Sequence, residues 1–256
     1  MNSLANIGVV ITAHNYGQYL SACLDSVFAQ TLPPGQVIVV DDDSDDETAD
    51  IVSRYNNAQY CRVDFRNGNR SRNFGFLKIA TPLVTFFDAD NVMLPIFLET
   101  LYGVLQNDSN AAFAYGDRIN FADGDTSWYP EPMGLHVSGP FKVSRLKRHN
   151  YIDLAALIRS DCFPGFDASL KRYQDWDLWL NMALKQGCYG HYVSEPLFRY
   201  RVHPQSVSQR ENRDLAMWAI RKKYRLGWGA LPLLRRSFRL YRFVRNIKAQ
   251  LSSHFA

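Results

Sequence analysis

Apolar residues gather first in a short β-branched run, Ile7 to Ala13, and again at Val37 to Val40, each long enough for a buried strand. Between them Tyr16, Tyr19, Leu20, Cys23, Leu24, Val27 and Phe28 recur at the spacing of one helical face. Pro33, Pro34 and Gly35 stop that helix and turn the chain into the second strand. Ile51, Val52 and Tyr55 predict another helix, Tyr60 to Val63 a third strand, Phe74, Phe76, Leu77 and Ile79 a further helix, and Leu83 to Phe87 a fourth strand. The alternation predicts an α/β fold, a mostly parallel central sheet with right-handed crossovers and flanking helices.

Beyond the fourth strand the regularity fades. Pro95 to Leu105 reads as a helix and Ala111 to Tyr115 as a strand, whereas Asp117 to Asn150 is rich in Gly, Pro and aromatics and lacks a clear period, as functional or mobile loops do. Helical periodicity returns at Trp176 to Leu184, and a strand is expected near Tyr189 to Val193. From Arg213 onward the chain is helix-like, broken around Gly227 to Pro232.

With 256 residues, 46% of them hydrophobic, the chain can build one large domain with a small extension. Cys23, Cys61, Cys162 and Cys188 form no CxxC pair and are read as reduced thiols of a cytosolic protein. The first residues lack a basic n-region, and no run of about 18 apolar residues marks a membrane span. The net charge of +4 conceals an asymmetry. Residues 212–256 hold eleven Lys and Arg against one acid, leaving 18 basic and 24 acidic residues before them. The body is therefore near −6 and the tail near +10. We expect a catalytic domain over 1–211, a basic helical extension over 212–256 that meets an anionic partner, and no nucleic-acid binding.

Acidic clusters follow two of the expected strands. Asp41 to Glu47 comes straight after Val37 to Val40, where open α/β sheets bind ligands, although a solvated turn is the plainer reading for such a run. Asp88-Ala89-Asp90 follows Leu83 to Phe87, and two carboxylates one residue apart can approach a common Mg²⁺ or Mn²⁺ together with diphosphate oxygens. Asp175 stands near a helix start, either as a cap or as a general base facing an acceptor hydroxyl. His203, after Phe198-Arg199-Tyr200-Arg201-Val202, is by itself an ordinary packed histidine or a ligand, and Arg72 and Asn73 are equally unremarked alone.

Taken in order, Thr12-Ala13-His14-Asn15-Tyr16, Cys23 to Val27, Val39 to Ser44, Arg72 to Gly75, Phe87 to Asp90, Asp175 to Trp179 and Tyr200 to His203 resemble the large inverting family 2 of bacterial glycosyltransferases with the A-type (GT-A) fold. The resemblance runs from about Ile7 to Ser208. It implies that Asp41 accepts a hydrogen bond from the donor's base, with Thr12, Ala13, His14, Asn15 and Arg72 completing that pocket. Asp88 and Ala89 would face the ribose or donor sugar, Asp90 and His203 would bind the divalent metal, and Asp175 would be the base. Asp43 stands where the family usually has glycine, Gln174 where glutamate usually precedes the catalytic aspartate, and Asn91 where a third aspartate often follows.

The implied reaction moves a sugar from a nucleotide-diphospho-sugar, UDP by family frequency, to a saccharide or lipid-linked acceptor in cell-surface polysaccharide synthesis. One displacement with one base inverts the anomeric centre. A nucleotidyltransferase would need a Gly-rich basic loop near the N-terminus, and an inactive docking scaffold would not need Asp41, Asp88, Asp90 and Asp175 together. The tail's apolar Leu231, Leu234, Phe238, Tyr241 and Ile247 with its arginines would pack on the domain, hold the protein, otherwise cytoplasmic, on an anionic inner-membrane surface, or meet a protein partner.

Overall fold

The computed structural model describes residues 5–124, 133–204, 206 and 212–227. The chain divides into two compact units, Met1–Glu211 and Asn212–Ala256.

Strands β1 (Ala5–Ala13), β2 (Pro34–Asp42), β3 (Ala58–Val63) and β4 (Leu83–Asp88) run parallel in the order β3-β2-β1-β4. Short buried apolar runs make β1, β2 and β4 strands, the half-buried β3 pairs with β2 at the sheet's edge, and helical crossovers make the four parallel. Helices α1 (Gly17–Phe28), α2 (Thr48–Val52) and α4 (Phe97–Asn107) contribute Leu20, Leu24, Ile51, Val52, Leu98 and Leu101 to one core with Val9, Ile11, Val37 and Val39. Helix α3 (Gly68–Phe76) sets its Gly75 against Val10 and Val40, the residues of opposite parity. Beside it Phe163 lies 4.6 Å from Phe76 and 4.8 Å from Phe86.

Beyond β4 the sheet turns mixed. It continues through β8 (Ala156–Arg159), β6 (Ala111–Phe121) and β9 (Tyr189–Arg201) to β5 (Val92–Met93), with β7 (Gly134–His136) paired to β6. Among the described residues of this half only β6 and β9 pair in parallel. The helices here are α5 (Val143–Leu146) and α6 (Gln174–Lys185).

The stretch expected as an irregular loop, Asp117 to Asn150, thus begins as the outer half of β6 and later holds β7 and α5. Likewise β9 continues eight residues past Val193. The reason is a bulge: the β6–β9 register pairs Tyr115 with Tyr192 but Asp117 with Pro196, so the alternation breaks where proline and glycine enter. Gly116 is needed there, because a Cβ would lie 2.6 Å from Leu197 Cδ1. Strand β8 has no counterpart in the sequence reading, since Ala156-Leu157-Ile158 is too short an apolar run to tell strand from helix.

In the second unit Asn212 caps a helix, Arg213–Lys223, by accepting the N–H groups of Asp214 and Leu215 at 3.0 Å. The break expected around Gly227 to Pro232 and the stripe Leu231, Leu234, Phe238, Tyr241 and Ile247 lie outside the described residues, apart from Gly227.

Candidate active site

The parallel register brings the strand ends to one edge: Ala13 pairs with Asp41, and Thr12 with Asp88. Two loops are laced across this edge. Asn15, in a left-handed conformation (φ 55°), donates its N–H to the Ser44 hydroxyl at 2.9 Å, and its Oδ1 accepts the Asp45 N–H at 2.9 Å. His14 sets Nδ1 2.6 Å from the Asp42 carbonyl, and Gly17 N–H donates to Asp46 at 2.7 Å. His14 and Asn15 stay exposed at the rim, Thr12 is half-buried and Ala13 buried.

Asp41 has no exposed side-chain surface. Its Oδ1 accepts the Ser44 N–H at 2.9 Å, while Oδ2 accepts the Tyr60 hydroxyl at 2.5 Å and Arg62 Nη1 at 3.4 Å. Its Oδ2 is thus engaged by Tyr60 and Arg62, neither of which was singled out in the sequence. Asp42, taken in the sequence only as part of the acidic run Asp41 to Glu47, accepts the N–H groups of Arg66 (2.7 Å) and Asn67 (2.8 Å) and the Ser71 hydroxyl (2.8 Å), which fixes the entry to α3.

Helix α3 turns Arg72 toward β4, not toward Asp41: its Nη2 donates to Asp88 Oδ1 at 2.7 Å. Asn69 Nδ2 donates to the carbonyls of Asp167 and Leu170, and Asn73 exchanges two bonds with the Phe166 backbone, so the segment leading into α6 is pinned to the helix that carries Arg72.

The end of β9 closes the other side. Arg201 N–H donates to Asn91 and its Nε to the Asp90 carbonyl, with its guanidinium over the Tyr19 ring and paired with Asp123. Two residues on, His203 Nε2 lies 2.9 Å from Asp90 Oδ2, and its ring packs 5.1 Å from Tyr19 and 5.5 Å from Tyr16. Ala89 is buried, Asp88 is 33% and Asp90 12% exposed. Burial pushes the Asp90 carboxyl up and His203 pulls it back, while Asp88 adds to the rise. Burial, then Asp90 and Asp88, also push the Cys23 thiol well up, which registers the negative field beneath the site.

Asp90 and His203 are the pair that could hold a divalent ion. Adjacent ligands at about 2.1 Å from an octahedral ion stand about 3.0 Å apart, close to the 2.9 Å between Asp90 Oδ2 and His203 Nε2. His203 Nδ1 is buried without a partner among the described residues. The described residues contain no group of three or more His, Cys, Asp and Glu placed for a metal.

Asp175 is the second residue of α6, after Tyr173 in a left-handed conformation (φ 61°). Its Oδ1 accepts the Trp176 N–H at 2.8 Å and its Oδ2 accepts Asn150 Nδ2 at 2.6 Å. Burial raises its pKa to about 6; Asp153 adds to this, the two hydrogen bonds oppose it, and the charge of Asp88 is felt as well.

The family model described as Glycosyl transferase family 2 matches residues 8–172, stopping short of Asp175 and His203. The chain is 22% identical over 213 residues to the Escherichia coli UDP-Glc:alpha-D-GlcNAc-diphosphoundecaprenol beta-1,3-glucosyltransferase WfaP, covering 82% of each. It spans less than half the length of three other curated glycosyltransferases it matches, between 19% and 48%. Among solved structures, S. aureus TarS in complex with UDP-GlcNAc aligns with a TM-score of 0.69 at 17% identity, over 85% of this chain and 65% of that one. The mannosyltransferase PcManGT from Pyrobaculum calidifontis, in complex with GDP-Man and Mn²⁺, aligns with a TM-score of 0.65 at 15% identity, over 87% and 67%. The mixed sheet with its flanking helices is the A-type fold of these neighbours.

Proposed function

Because the chain belongs to glycosyl transferase family 2, we propose that it moves a sugar from a nucleotide-diphospho-sugar to an acceptor hydroxyl in cell-surface polysaccharide synthesis, with inversion and with Asp175 as base. The observation that carries this reading is Asp175 itself. It is a half-buried carboxyl whose pKa, about 6, leaves it ionised at neutral pH yet basic enough to take a proton, and Asp88 lies within its electrostatic reach.

The geometry supports the following roles. The rim of Thr12, Ala13, His14 and Asn15 with Asp41 behind Tyr60 and Arg62 would receive the base, and Asp88, fixed by Arg72, and the Ala89 backbone the ribose or sugar. Asp90 and His203 would hold Mn²⁺ or Mg²⁺, whose charge offsets that of the departing diphosphate. UDP is proposed as the nucleotide because WfaP is named for UDP-Glc and TarS was solved with UDP-GlcNAc; a lipid-linked saccharide is proposed as acceptor because WfaP is named for one.

Asp175→Asn tests the reading. Donor affinity should hold while turnover falls about 10²–10⁴-fold, the usual contribution of a general base. Thermal stabilisation by UDP-sugars reports the binding, since ligand at 100 times its Kd adds about 2.7 kcal/mol. If affinity falls as steeply as rate, Asp175 is a donor ligand or a helix cap, and the assignment is lost.

A further inference from the structure

Asn150 lies in the connection between α5 and β8, and that connection is clamped to α6 on both sides of it. The Trp176 indole donates to the Leu146 carbonyl at 2.7 Å, and the Trp179 indole to the Ile152 carbonyl at 3.1 Å. Both tryptophans are buried. The backbone that carries Asn150 is thus fixed to the helix that carries Asp175, and the amide Nδ2 reaches the carboxylate at 2.6 Å.

The orientation of that amide is informative. Asn150 Oδ1 is buried with no partner among the described residues. Among the described residues the hydrogen bond this side chain makes is the one from its NH₂ to the carboxylate. Turning the amide over would set oxygen against oxygen. The Trp176 N–H occupies Oδ1 of Asp175, so the Asn150 bond completes a two-point hold on the group.

We propose that Asn150 is a positioning residue, one that orients the Asp175 carboxylate for proton removal and keeps it in the ionised form. The proposal rests on Asp175 being the base. The other charges facing Asp175 are of the wrong sign to do this: Asp153, paired with Arg118 at 2.9 Å, and Asp88, paired with Arg72, both favour its protonated form. The hydrogen bonds from Asn150 and Trp176 act in the opposite direction.

The test uses the full chain labelled with carboxyl-¹³C aspartate, with Asp175 assigned by the signal lost in Asp175→Asn, and Mn²⁺-supported hydrolysis of UDP-glucose followed against pH. Asn150→Ala removes the donor, and its titration midpoint should rise by about one unit. Asn150→Asp keeps the side-chain shape but adds a negative charge, so its midpoint should rise further. The acid limb of hydrolysis should move by the same amounts, so the rate at pH 6 falls several-fold in Asn150→Ala and recovers in large part at pH 8.5. A midpoint that stays in place in either variant, or a rate loss that is uniform across pH, overturns the proposal. Hydrolysis by Asp175→Asn at the wild-type rate overturns the base assignment and this inference with it. An inactive Asp175→Asn beside an unshifted Asn150→Ala profile overturns this inference alone.

Discussion

Asp43 adopts φ 63° at the position where the resemblance leads one to expect glycine. A left-handed conformation costs an ordinary residue roughly 1–2 kcal/mol, less for Asp, and here Arg66 at 2.8 Å and Arg62 at 3.3 Å hold the side chain. The turn therefore survives the substitution. At the same scale the metal assignment can be tried one side chain at a time. Asp90→Ala should weaken Mn²⁺ binding in the presence of UDP by more than the roughly 10–100-fold typical of losing an outer partner. His203→Ala should do the same if His203 is a ligand, but much less if it only donates to Asp90. Calorimetric titration reads both, and unchanged Mn²⁺ affinity in Asp90→Ala removes the assignment. Asp90, His203 and Asp175 could be singled out in the sequence because each sits in a short motif of fixed order. Asn150, Tyr60 and Arg62 could not, since their importance arises from contacts with residues 25, 19 and 21 positions away that no local pattern marks.

Elements were legible in proportion to their regularity. Strands β1, β2 and β4 show in the sequence as short runs buried on both faces, and helices α1 and α4 as periodic apolar faces. Helix α3 was placed too late: its apolar residues cluster near its end, whereas its start is set by Asn67, whose side chain accepts the Asn69 and Arg70 N–H groups at 3.1 Å. The seat of α3 matters, since it carries Arg72 and the Asn69 and Asn73 clamps. At Gly75 a Cβ would stand 2.4 Å from Val10 Cγ1 and 3.1 Å from Val40 Cγ2. Replacing glycine in a helix gains about 1 kcal/mol of propensity, but overpacking typically costs about 1–3 kcal/mol. Gly75→Ala should therefore lower stability by about 1 kcal/mol and weaken UDP binding as Arg72 is displaced. Chemical denaturation with a UDP titration decides the matter: a gain in stability would mean that the helix has room to spare against β1 and β2.

At the scale of the whole chain the decisive feature is where the charge lies. The first unit carries 18 basic and 24 acidic residues, and residues 212–256 carry eleven basic residues and one acid. Among the described residues no helix is long and apolar enough to cross a membrane. The helix Arg213–Lys223 already concentrates Arg221, Lys222 and Lys223 in its last turn, where they complement the helix dipole. Such a turn is stable without any partner, so a packed or solvated tail accounts for it as readily as a surface-bound one. What separates the two is charge density further along, where Arg235, Arg236, Arg239, Arg242 and Arg245 are interleaved with Leu231, Leu234, Phe238, Tyr241 and Ile247. On an anionic bilayer each basic residue near the surface contributes about 1 kcal/mol, an attraction that salt screens within a Debye length of about 10 Å at 0.1 M. A lipid-linked acceptor would place the reaction at that surface. We therefore expect the full-length protein to co-sediment with vesicles containing phosphatidylglycerol but not with pure phosphatidylcholine, and to be released at 0.5 M salt. A chain ending at Glu211 should stay in the supernatant under every condition. Equal recovery of both proteins in the supernatant at low salt would show that the tail's charge serves something other than a membrane.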